Sequence, residues 1–290
     1  MGVVYLTSAK GAPGVTTTAL ALTHSWRRPV MLVEADPAGS SILAGFLRGS
    51  MDHTHGLASV SLAQRQGVDI ATALLEQSML LAPDLLFIHG IADPAQAPTL
   101  APVWAPMAEA FRQLDHAGID VVVDAGRAGS PHAPAPLLPV SDLVGIVTRT
   151  SLPDIYATSR LAPALATQLS RVGGDRALNV VTVGPGRPYT DREIQSNVGL
   201  PVLPGIAWDP DAAEVFSVGA ENRKGRSRLM QSAAALVEVI AGRIEQRRLE
   251  LSPGAPGLGA PGPGLDVRPP PGARAETLRA TTAGWGGELA

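Results

Sequence analysis

The chain has 290 residues, 45% of them apolar and only 4% aromatic, with a formal net charge of −3. That is apolar material for one large α/β domain or two small ones, with little left over for aromatic stacking platforms. The small net charge leaves any pull toward nucleic acid or membrane to a local patch, and the absence of cysteine excludes disulfides, thiolate metal sites and a cysteine nucleophile. No apolar run approaches the roughly 18–20 residues that span a bilayer. The short apolar run at the N-terminus is broken by Thr7 and Ser8, unlike a signal peptide. A cytoplasmic location is expected, and peripheral membrane association is not.

Taken in order, residues 3–7 read as a buried strand, followed by a glycine turn and a helix over 15–26. A second strand runs from Pro29 to Val33 and ends in Glu34 and Asp36. Residues 40–80 are less regular, with a helix at 70–75, and a strand follows at 84–90. A helix is predicted over 101–116, with Val103, Met107, Ala110, Phe111 and Leu114 on one face. The segment 118–126 is the clearest buried strand and carries Asp124. Further strands fall at 143–148, 179–184 and 201–206, with helices at 153–172 and 191–198 between them. The last helix spans 228–249, its stripe of Leu229, Ala233, Leu236, Val237, Ile240 and Ile244 facing the core. Continuous apolar runs alternating with helices predict an α/β, three-layer fold, its mostly parallel central sheet flanked by helices on both faces. Residues 1–250 form that domain. Residues 251–290 are rich in Pro and Gly and are expected to be a disordered tail; Trp285 within it is open to reading as a docking anchor.

The chemistry gathers at Lys10-Gly11-Ala12-Pro13-Gly14-Val15-Thr16-Thr17. A strand, a tight glycine turn and a helix N-terminus bring free backbone N–H groups and the positive end of the helix dipole to one place, which is a phosphate cradle. A Walker A loop carries a lysine immediately before its hydroxyl residue; here that position is Val15. Lys10 and Lys224 are the only lysines among 23 basic residues, so a lysine kept inside the glycine loop points to use of its ammonium group. Ligands of parallel sheets sit beyond the carboxyl ends of the strands, which puts Asp36 near the loop. Asp124 reads either as a metal-ordering acid or as a turn residue or cap.

In this order and spacing the chain resembles the ParA/MinD group of deviant-Walker P-loop ATPases, over roughly residues 1–245. Lys10, Gly11, Gly14, Thr16 and Thr17 match that group's loop, while Ala12 and Val15 replace its second glycine and second lysine. Glu34 and Asp36-Pro37 match its second acidic motif, Asp124 its Walker B acid, and 204–219 its adenine-side strand and loop. The resemblance implies ATP or ADP with Mg²⁺, held by residues 10–17 and by Asp209 and Pro210. Thr16, Asp36 and Asp124 would serve the metal. Asp36 and Lys10 would serve catalysis, with Lys10 reaching a partner's phosphates in an ATP-sandwich homodimer. It also implies a protein partner and a role in partitioning or intracellular positioning. Val15 supplies no charge to the phosphates, so weak or absent hydrolysis is expected.

Three alternatives stay open at this point. A pseudo-ATPase scaffold for a secretion or pilus apparatus would keep the fold without turnover. A Rossmann oxidoreductase would use Gly11 and Gly14 with Glu34 or Asp36 on a ribose, although G-x-G-x-x-G is missing from the turn. Arg223, Lys224, Arg226 and Arg228 form either a solvated loop or a patch for nonspecific DNA. His53 and His55 have no third metal ligand at suitable spacing and read as loop residues.

Overall fold

The structure is a computed structural model that describes residues 2–11, 13–51, 54–174, 177–221 and 227–251. Eight strands form one sheet: β1 (Val3–Ser8), β2 (Val30–Glu34), β3 (Met79–Ala82), β4 (Leu85–Ile88), β5 (Asp120–Arg127), β6 (Leu143–Arg149), β7 (Leu178–Val183) and β8 (Val202–Ile206). Their order across the sheet is β3-β4-β2-β5-β1-β6-β7-β8. All neighbours run parallel except β3, which pairs antiparallel with β4 at one edge. The predicted α/β fold with a mostly parallel sheet is therefore the one observed.

Successive residues of a strand point to opposite faces, and here both faces are covered. Tyr5, Met31, Val33, Val121 and Val123 pack into a core beneath α2 (Leu57–Arg65), α3 (Ile70–Gln77), α4 (Trp104–His116) and α5 (Leu152–Ser170). The alternate residues Val4, Leu6, Leu32 and Val122 pack beneath α1 (Val15–His24), α7 (Pro210–Val218) and α8 (Arg228–Leu251). A smaller cluster of Ile155, Val180 and Ile194 seats α6 (Asp191–Val198). Double coverage explains why the strands read as unbroken apolar runs. The predicted stripes of α4 and α8 are buried as expected.

Several elements depart from the sequence reading. The irregular stretch before residue 80 contains α2, and the edge strand β3 begins at its end. The segment after Asp209, expected as a loop, is the helix α7. Asp209 caps that helix, accepting the Ala212 N–H at 3.5 Å, and also takes the Arg228 N–H at 3.0 Å where α8 begins. Pro210 occupies the first turn, where its missing N–H costs nothing. The structure thus gives Asp209 a scaffolding task besides any contact with a ligand. The tail beyond residue 251, His53, and Arg223, Lys224 and Arg226 of the basic cluster lie outside the described residues. No helix among the described residues is long and apolar enough to cross a membrane.

A capping acid that serves two helices should matter without any ligand. Asp209→Ala is expected to lower the unfolding free energy by roughly 1–2 kcal/mol in nucleotide-free protein, read by urea titration; an unchanged midpoint would remove the scaffolding role.

Candidate functional site

β1 lies in the interior of the sheet between β5 and β6, and its chain leaves the carboxyl edge through residues 9–14 into α1. Gly14 stands at the N-cap with φ of 106°, a left-handed conformation that favours glycine. No side chain caps α1 and no acid sits in its first turn, so the first N–H groups of the helix are left for an outside acceptor. A Cβ on Gly11 would touch nothing, so packing within the chain does not demand glycine there. Ala12 lies outside the described residues. Pro13 and Val15 are buried, Thr16 and Thr17 half-buried. Val15 is 5% exposed and belongs to the core with Leu6, Ala19 and Val181. Its side chain packs inward as part of the hydrophobic floor of the loop.

Three carboxylates gather at the ends of β2 and β5. Glu34, level with Asp124 in the strand register, is fully buried and surrounded by donors. It accepts the Ser40 hydroxyl and the N–H groups of Ser41, Ile42 and Gly90 at 2.5–3.0 Å. Burial pushes its pKa up and these donors pull it back. The set fastens the 38–42 loop to the end of β4. Asp36 follows, half-buried, accepting the Ala38 N–H at 2.8 Å; burial raises its pKa against that bond. A Cβ on Gly126 would overlap the Asp36 carboxyl, and Gly126 has φ of 59°, so glycine is required for β5 and Asp36 to meet.

Asp124 is the unsatisfied member. Its Oδ1 accepts the Gly126 N–H at 3.1 Å, while its Oδ2 is buried without a hydrogen-bond partner. Burial pushes the carboxyl up to about 7; the Thr16 hydroxyl and the Gly126 N–H draw it down, and the charges of Glu34 and Asp36 push it up. Thr16 is thus near enough to favour the ionised form without completing a well-formed bond to Oδ2. No group of three or more His, Cys, Asp or Glu side chains among the described residues is gathered to hold a metal unaided. A cation here would therefore draw most of its ligands from phosphate and water oxygens, as Mg²⁺ commonly does. The Thr16 hydroxyl, the orphaned Asp124 oxygen and the uncapped helix suit such a metal–phosphate group; Val15 does not contribute.

Lys10 is half-exposed and lies 3.4 Å from Asp154, in the first turn of α5. Beyond it, a cavity of about 190 Å³ opens among Arg149, Thr150, Val183, Gly184, Arg187 and Trp208, with the Arg149 guanidinium 5.5 Å from the Trp208 ring centroid.

Solved structures share this fold. The chain aligns with a ParA family ATPase from Chlorobium tepidum TLS at a TM-score of 0.62 and 18% identity, covering 82% of this chain and 98% of that one. The chain has the ParA/MinD type of P-loop fold. The septum site-determining protein MinD of Pyrococcus horikoshii OT3, solved with Mg-ADP, aligns at 0.64 with 18% identity over 82% and 95% of the two chains. A chain of the MinC:MinD cell division protein complex of Aquifex aeolicus aligns at 0.61 with 16% identity over 83% and 96%. No protein-family model matches the chain, and no curated protein matches it.

Within the ParA/MinD-type fold, the residues singled out by sequence fall into two groups. Thr16, Asp36 and Asp124 converge beside the glycine loop. Asp209 and Pro210 stand at the far side of the carboxyl edge, behind Trp208. Sequence reasoning passed over Arg149 and the cavity it lines; its position at the end of an apolar run was the available signal, since strand ends carry the ligands of such sheets.

The Asp124 carboxyl has a higher pKa folded than unfolded, so no penalty for its ionisation arises at low pH. The cost grows as pH rises from about 4 through 7. Asp124→Asn is expected to stabilise the nucleotide-free protein relative to wild type by on the order of 3 kcal/mol more at pH 8 than at pH 4. Urea denaturation at the two pH values reads this directly, and a difference independent of pH would refute it.

Proposed function

We propose that the protein is a nucleotide-dependent switch that takes ATP with Mg²⁺ in the 10–17 loop, dimerises around it and recruits a protein partner for partitioning or intracellular positioning, with weak or no hydrolysis. The observation that carries this reading is the buried, partnerless Asp124 oxygen beside Thr16, at the mouth of an uncapped glycine-led helix. A buried acceptor with no donor costs roughly 1–3 kcal/mol, and a hydrated metal at the phosphates would remove that cost. The backbone N–H groups of α1 would bind the phosphate oxygens, Thr16 would give its hydroxyl to the metal, and Asp36 and Asp124 would order the water around it. Mg²⁺ supplies charge neutralisation at the phosphates.

Two features support slow turnover. Val15 is packed in the core and gives no ammonium to the phosphates. Lys10 is held by Asp154 within its own chain, and in the proposed dimer it would exchange that partner for the phosphates of the other copy. The same two features favour a second reading, a scaffold that keeps the fold without turnover. Partner recruitment rests on likeness of fold to a chain of the MinC:MinD cell division protein complex. DNA binding through Arg223, Lys224, Arg226 and Arg228 is a further proposal; steep loss of DNA co-sedimentation with salt would support it.

Thermal shift and light scattering with ATP and Mg²⁺ test the central reading. A raised melting temperature and a dimer fraction that grows with ATP are expected. Lys10→Ala should retain the thermal shift and lose the dimer, with the ligand-free melting temperature almost unmoved because a half-exposed ion pair contributes under about 1 kcal/mol. If ATP with Mg²⁺ changes neither observable, the scaffold reading stands instead.

A further inference from the structure

The cradle lacks a cation that is free to meet a phosphate. Val15 is buried and neutral, and Lys10 is paired with Asp154. Arg149 is different. It is exposed, ends β6, and has no carboxylate partner among the described residues. β6 pairs directly with β1, with Thr7 opposite Ile146, so Lys10 and Arg149 each stand three residues past a paired position. The chains leave the sheet side by side. The cavity lined by Arg149 also adjoins the loop, because Val183 in its wall is the residue nearest to a Cβ placed on Gly14, at 3.9 Å. Resting on the nucleotide-binding reading above, we infer that Arg149 supplies from β6 the positive charge that Val15 withholds from the phosphates.

The energetics favour the exchange. Arg149 rests over Trp208, and a cation–π contact at a partly exposed site is a weak hold. It also sits two residues before Ser151, the N-cap of α5, where the helix dipole repels a cation. A phosphate offers paired, charge-assisted bonds that suit the guanidinium fork. Arg187 lines the same cavity but lies beyond β7, one strand farther from the loop. Arg127 ends β5 on the opposite side of β1, beside the carboxylates. Neither combines freedom from those acids with nearness to Gly14.

Titration with AMP, ADP and ATP in the presence of Mg²⁺, followed by calorimetry and tryptophan fluorescence, tests this. Wild-type fluorescence should change on ADP or ATP binding as Arg149 leaves Trp208. Arg149→Ala should weaken ADP and ATP by about tenfold to a hundredfold with AMP nearly unaffected. Arg149→Lys should retain part of the affinity, and Arg187→Ala should cost less. Val15→Lys in the Arg149→Ala background should restore ADP affinity; circular dichroism checks its fold, and the contrast among AMP, ADP and ATP stands without it. Equal losses for all three nucleotides would assign Arg149 to the base side and overturn the inference, as would no loss at all. If wild type binds none of the three, the nucleotide-binding reading falls with it; if wild type binds and Arg149→Ala binds as well, only this inference falls.

Discussion

Asp124 is lodged in the interior of the sheet, level with Leu6 of β1 on one side and Glu34 of β2 on the other. Two buried carboxylates in register repel each other, and in a dry interior neither can stay charged without donors. The fold resolves this unequally. Glu34 is surrounded by donors from two places in the chain, residues 40–42 and Gly90, and meeting its needs fixes the 38–42 loop and the end of β4. Asp124 receives the Gly126 N–H and keeps a spare oxygen. Because the loop held by Glu34 begins directly after Asp36-Pro37, the same bonds that quiet one carboxylate aim another at Gly126 and the glycine loop. The site depends on this division of labour: one acid saturated for structure, one left short.

Val15 sharpens the consequence. In a loop that offers only backbone N–H groups and a helix dipole, about half a unit of positive charge faces the ligand. A phosphate chain with Mg²⁺ still carries net negative charge, so in the proposed complex the side chains around the loop would decide how firmly it is held. Those side chains are unevenly disposed. Glu34, Asp36 and Asp124 stand on the β2–β5 side, with Arg127 at the end of β5, while Lys10 (paired with Asp154), Arg149 and Arg187 stand at or beyond β1 on the β6–β7 side. That asymmetry suits a ligand whose metal faces the acids and whose bare oxygens face the arginines.

The fold was legible because double coverage writes each strand as a continuous apolar word; Val121-Val122-Val123 needs no context. β3 was missed because an edge strand of four residues, Met79–Ala82, alternates buried and half-buried positions and follows a helix without a glycine break. α7 was missed because its Asp-Pro start resembles the turn chemistry expected of a loop. At the site, the nearness of Thr16, Asp36 and Asp124 to one another was legible through their spacing from strand ends; their roles belong to the proposal. Glu34 gave a misleading signal, since its place in the acidic motif says nothing of the four donors that absorb it. Arg149, Val183 and Trp208 are separated by up to 59 residues and meet only because β6, β7 and β8 are neighbours, a relation no local pattern encodes.

The contacts that hold the cradle in its ligand-free form are of one kind. Lys10 on Asp154 is a half-exposed ion pair, worth under about 1 kcal/mol. Arg149 on Trp208 is a cation–π contact of similar size at an exposed ring. Asp124 Oδ2 has nothing to lose. The elements beneath them are of another kind: Leu6, Val15, Val122 and Leu20 are fully packed, and moving them would open cavities costing several kcal/mol. A ligand entering here meets side chains that can be re-partnered cheaply on a floor that cannot shift. That combination permits a change of partner for Lys10 and Arg149 without a change of fold, which is what the proposed switch requires.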